Sequence, residues 1–77
     1  MKFNNTKSNA IKAHLKNPSL KLVGTNGNAF ALMGAATSHN RTHKLYSPED
    51  MKTIIDECTS GDYDHLLATL MYFFNVK

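Results

Sequence analysis

The chain has 77 residues, 42% of them hydrophobic and 19% charged, with a formal net charge of +3; this makes one small domain and excludes both two cores and a disordered polyelectrolyte. A domain of this length buries only about 60% of the surface its unfolded chain exposes, so self-association into a homo-oligomer is expected. A deep pocket of roughly 300 Å³ or more would be taken from that core, so the expectation is a non-enzymatic binding protein with no catalytic residues and no cofactor.

Residues 1–7 are polar apart from Phe3 and have no period, which reads as a loose arm before a single domain over residues 8–77. Ser8 can cap a short helix to about Lys16, with Ile11 and Leu15 at i and i+4, ended by Asn17-Pro18. Ser19 to Val23 alternates Leu20 and Leu22 with Lys21 and Val23 and suits a short strand. Gly24 to Asn28 then forms a turn.

Asn26-Gly27 is a strong hairpin signal and would return the chain as a strand through residues 29–33. Composition favours the alternative, because Ala29, Ala31, Leu32, Met33, Ala35 and Ala36 are good helix formers and Asn28 is a good N-cap. A helix is expected from about Ala29 to Ser38, apolar nearly all round and so central or intersubunit, with Gly34 marking the close approach of another backbone.

Residues 39–46 read as a polar connection. Ser47-Pro48-Glu49-Asp50 is a clear helix start, and Met51, Ile54, Ile55 and Cys58 form an apolar stripe opposite Lys52, Asp56 and Glu57. Thr59-Ser60-Gly61 ends that helix. Asp62 or Ser60 caps the next, where Tyr63, Leu66, Leu67, Leu70, Met71 and Phe74 keep helical spacing and Tyr72 and Phe73 widen the apolar arc beyond what one partner needs. Residues 75–77 extend as an edge strand beside residues 20–23. The expected fold class is therefore mainly α, with α+β as the alternative: three or four helices with one or two short strands.

Charge is divided along the chain. Residues 1–46 hold seven Lys or Arg and no acid, and residues 47–77 hold two lysines against six acids. The basic half either meets an external anion or docks on the acidic half of a neighbouring copy. Cys58 has no partner for an intramolecular disulfide, and the chain has neither a charged-then-apolar leader nor an apolar run near the ~20 residues needed to span a bilayer. The expected location is a reducing cytoplasm, with no membrane partner and Cys58 in the core.

Motifs for chemistry are sparse. His39 and His43 are at i and i+4 but fall in the expected loop, and HExxH and CxxC are absent, so no metal site is expected. There is no GxSxG elbow and no P-loop. Asp62 and Asp64 are explained by capping and the helix dipole, although Asp62 and His65 also form the best polar pair in the sequence. The backbone amides of Asn26, Gly27, Asn28 and Phe30, at a helix N-terminus within a basic stretch, favour an anion. Lys12, Lys16 and Lys21 lie on different elements without interleaved aromatics, which weighs against sequence-specific DNA recognition.

The segments Leu22-Val23-Gly24-Thr25-Asn26-Gly27-Asn28-Ala29-Phe30-Ala31-Leu32-Met33-Gly34 and Thr59-Ser60-Gly61-Asp62-Tyr63-Asp64-His65-Leu66-Leu67 resemble the two signature segments of a family of short, mostly uncharacterised bacteriophage and prophage proteins, over residues 20–77. In that family the helix after Gly34 continues with several arginines and alanines, whereas residues 35–40 here are polar and expected to fray, leaving a basic role of this helix unsupported. The resemblance implies a counter-defence or host-takeover protein acting in the host cytoplasm. Combined with the charge pattern, it leads to an oligomer that sequesters an anionic small molecule such as a nucleotide. The amides of residues 26–30 would hold phosphate, Lys21 or Arg41 would supply charge, Asp62 and His65 would meet a ribose or base edge, and Tyr63 would stack on the base or pack in the core. A second expectation is an inhibitor that blocks a host enzyme through exposed Tyr72, Phe73 and Phe74. A third is non-specific nucleic-acid binding by the basic half.

Overall fold

A computed structural model of the chain describes residues 3–13, 19–21 and 27–76. In order these form α1 (Thr6–Asn9), β1 (Ser19–Leu20), α2 (Ala29–His43), α3 (Pro48–Cys58), α4 (Tyr63–Phe73) and β2 (Asn75–Val76). The architecture is the mainly helical one expected, with two short strands. Among the described residues no helix is long and apolar enough to cross a membrane.

Local signals set the second half of the chain. Ser47 accepts a hydrogen bond from the Asp50 N–H, Pro48 occupies the first turn, and Glu49 and Asp50 face the positive end of the α3 dipole. Met51, Ile54 and Cys58 are buried along one face. Asp62 caps α4 by accepting from the His65 N–H at 2.9 Å, and Leu66, Leu70 and Phe73 are buried beneath it. Beyond α4, β2 pairs in parallel with β1, Ser19 opposite Asn75 and Leu20 opposite Val76, so α2, α3 and α4 together form the crossover between the two strands. The expected pairing of the carboxyl-terminal strand is thus present; residues 22, 23 and 77 of that expectation lie outside the described residues.

The first half departs from its sequence reading in three places. Residues 29–33 are helical as composition favoured, with Asn28 accepting from the Phe30 N–H at 2.8 Å, but α2 runs to His43 instead of ending at Ser38. The cause is Asn40, a buried side chain whose amide donates to the Tyr46 carbonyl at 3.1 Å and whose oxygen accepts from the Tyr46 N–H at 2.8 Å. These two bonds tie the last turn of α2 to the approach to α3, so the expected polar connection over residues 39–46 is largely helix. Lys44 closes α2 in the left-handed region, at φ 53°.

The expected helix over residues 8–16 is replaced by the single turn of α1, capped by Asn5, with Ser8 buried inside it instead of capping it. Ile11 to Ala13 is not helical, and residues 14–18 lie outside the described residues. The expected loose arm is docked from Phe3 onward. Phe3 is only 4% exposed, with its ring 5.1 Å from Phe73 and 5.0 Å from Tyr72.

Helix α2 is one-sided rather than apolar all round: Leu32, Met33 and Ala36 are buried, while Phe30, Gly34 and Ser38 face solvent. Gly34 marks no close approach, because a Cβ built there meets nothing within 4 Å among the described residues. Its backbone cost is therefore uncompensated. Gly34→Ala is expected to stabilise the domain by about 0.5–1 kcal/mol, raising Tm by roughly 4–8 °C at the upper value, as read by thermal unfolding in circular dichroism.

Candidate functional site

The most heavily bonded polar group in the described structure is Glu57, which sequence spacing placed on the solvent side of α3. It is fully buried instead. Its Oε1 accepts from the Asn5 N–H at 2.7 Å; its Oε2 accepts from the Asn4 N–H at 3.0 Å, from Ser60 Oγ at 2.9 Å and from His65 Nε2 at 2.6 Å. Burial by itself raises the carboxyl pKa, but the bonds from Asn5, His65, Asn4 and Ser60 outweigh it and lower the pKa from 4.5 to about 2. The carboxylate is thus ionised at neutral pH, and His65 Nε2 carries the proton between them. Gly61 makes room for this arrangement, since a Cβ there would stand 3.0 Å from the His65 ring.

A Ser, a Glu and a His in contact resemble catalytic machinery, but the carboxylate sits between the other two and both its oxygens are engaged. The cluster anchors the amino-terminal residues to the α3–α4 corner. Neighbouring Cys58 is buried, and that burial, together with the Glu57 charge, pushes its thiol up to about 12, which suits a core residue and not a nucleophile.

The expected ligand residues are only partly brought together. Asn26 lies outside the described residues. Tyr63 Oη donates to the Gly27 carbonyl at 2.5 Å, so the start of α2 meets the start of α4. Phe30, Asp62 and Tyr63 border a shallow hollow of about 280 Å³, with Phe30 80% and Tyr63 44% exposed. The charge on that rim is the carboxylate of Asp62 and not a cation. Asp62 and His65 do not act as a side-chain pair either: Asp62 bonds the His65 backbone while the His65 ring turns to Glu57. Lys21 is exposed. Arg41 lies eleven residues beyond Phe30 on the same helix, about 16 Å along its axis.

The aromatic face expected at the carboxyl end is also corrected. Phe73 and Phe74 are fully buried and Tyr72 is half-buried. Phe73 packs against Phe3 and Tyr72, Phe74 against Tyr46, and the Tyr46 hydroxyl donates to the Phe73 carbonyl. The surplus apolar arc of α4 is absorbed by the protein's own first residues and by Tyr46, which removes the surface on which the inhibitor reading relied.

A larger concavity than the hollow beside Phe30 and Tyr63 lies between α2 and α3. It is a groove of about 420 Å³ lined by Thr37, Asn40, Arg41, Pro48, Met51, Lys52 and Ile55, mostly apolar in surface. A second hollow of about 420 Å³ shares Asn40, Arg41 and Pro48 with it and adds Lys44, Leu45, Tyr46 and Ser47. Arg41, Lys44 and Lys52 thus border an apolar floor, and among the described residues no carboxylate lines either part. Sequence reasoning named Arg41 but missed both lysines, because the groove exists only once α2 and α3 are packed.

No family model matches the chain, and no curated protein or solved structure matches it. Among the described residues, no group of three or more His, Cys, Asp or Glu side chains is placed to hold a metal ion.

Proposed function

We propose that the protein is a non-enzymatic binding protein that sequesters an anionic small molecule with an apolar, planar body, most simply a nucleotide, in the α2–α3 groove. The observation that carries this reading is the pairing of an apolar floor from Pro48, Met51 and Ile55 with Arg41 and Lys52 at its edge, with no acid among the described lining residues. An apolar floor favours a base over a bare phosphate, and the cations favour the phosphate end. The volume falls in the range of small-molecule sites, roughly 300–1,000 Å³.

Counter-defence, the removal of a nucleotide signal from the host cytoplasm, is part of the same proposal and rests on the resemblance of residues 22–34 and 59–67 to the bacteriophage family. Self-association belongs to the same proposal, supported by Phe30 and Met71, large apolar side chains that are 80% and 61% exposed.

Native mass spectra of protein purified gently from bacterial cells would read subunit number and retained ligand together, followed by calorimetric titration with mono-, di- and cyclic dinucleotides. The Arg41→Ser, Lys52→Ser double variant is expected to bind on the order of 100-fold more weakly, from about 1.5 kcal/mol for each charge-assisted contact. Both side chains are exposed, so the helical spectrum should not change. A ligand-free mass and no heat with any nucleotide would sink the reading.

A further inference from the structure

His39 and His43 were expected in a loop, but both lie on α2, one turn apart. Two histidines at i and i+4 of a helix project from one face, the arrangement by which the HExxH motif presents two imidazoles to zinc. Here the ring centroids are 4.6 Å apart with planes inclined at 57°, so the rings are tilted relative to each other and not stacked flat. Two imidazole nitrogens bound side by side to one ion at about 2.1 Å stand about 3.4 Å apart at a tetrahedral angle, a span compatible with rings at this spacing.

We propose that His39 and His43 chelate a borderline divalent transition-metal ion of the Zn²⁺ class on the flank of α2 beside Phe74. Three features favour a cation there. The His39 ring is positioned by an edge contact with Phe74, at 6.1 Å between centroids, so part of its ordering entropy is already spent in the fold. His43 is the last residue of α2 and is exposed, at the negative end of the helix dipole. Arg41 and Lys44, the cations nearest in sequence, line the groove shared with α3. Imidazole has two nitrogens, so a chelating histidine keeps one for an outer hydrogen bond.

The chemistry is binding and not hydrolysis. The intervening residues Asn40-Arg41-Thr42 supply no carboxylate to act as the general base that the glutamate provides in HExxH. With two protein ligands the ion keeps water at its remaining positions, so the site is open and exchangeable. It is independent of the groove and its ligand.

The test is calorimetric titration of the intact chain with Zn²⁺ alone at neutral pH in a non-chelating buffer, with thermal unfolding monitored in parallel. Zn²⁺ should raise Tm, because the two rings are held one turn apart only in the folded helix. His43→Ala should weaken binding on the order of 100-fold, since the second metal–nitrogen bond is then no longer intramolecular, and should abolish the Tm shift. Its circular dichroism should match the parent, as the side chain is exposed. Undiminished Zn²⁺ binding by His43→Ala, or no binding by the parent at millimolar Zn²⁺, would overturn the proposal.

Discussion

Glu57→Ala is expected to cost about 3–5 kcal/mol of folding stability, because several buried donors lose one shared acceptor at about 1–3 kcal/mol each, partly offset by water. A domain of this length has only about 4–12 kcal/mol in total, so much of the population would unfold in mild urea. The cause is the number of groups stranded together. The N–H groups of Asn4 and Asn5, the Ser60 hydroxyl and the His65 ring all lose the same acceptor. Urea unfolding followed by circular dichroism measures the loss; a value below about 1 kcal/mol would show that these groups find other partners.

The same residue gives a pH signature. Its folded pKa of about 2 lies below the ordinary 4.5, so as pH falls the unfolded chain takes up the proton first. The stability contributed by Glu57 is complete above about pH 4.5 and is lost as the pH falls through about 2. Glu57→Gln keeps the shape but removes the charge, so its deficit against the parent should be largest near neutrality and shrink across that window.

Phe3→Ala is the second large effect, about 3–5 kcal/mol, in the range for emptying a buried phenylalanine site. Phe3 lies against Phe73 and Tyr72, so the void would open beside Phe73, the ring that joins Phe3, Tyr46 and Tyr72. Its two neighbours in sequence, Asn4 and Asn5, are the residues that bond Glu57. Losses from Phe3→Ala and Glu57→Ala should therefore add to less than their sum, since either change undocks the same segment. A double-mutant cycle in urea reads this directly, and simple additivity would mean that the two contacts hold the segment independently.

The sequence by itself determined the elements whose causes are local. Ser47-Pro48-Glu49-Asp50 starts α3, Asp62 caps α4, and Asn28 with its run of alanines makes residues 29–33 helical, because each of these groups finds its partner within one turn. The stripe of Met51, Ile54 and Cys58 was legible for the same reason. Only the tertiary structure decided the rest. Asn40 extends α2 through a polar stretch by bonding a backbone beyond the helix end, and Phe3 turns a polar arm into core because its partners lie about seventy residues away. Glu57 stands three residues after Ile54 and one before Cys58, on the edge of the buried arc. A carboxylate is tolerated there only because two amides arrive from more than fifty residues away to hold its charge. Arg41 and Lys52 border one groove, and His39 and His43 share one helix face, once the fold has set which segments are helical and which helices pack together.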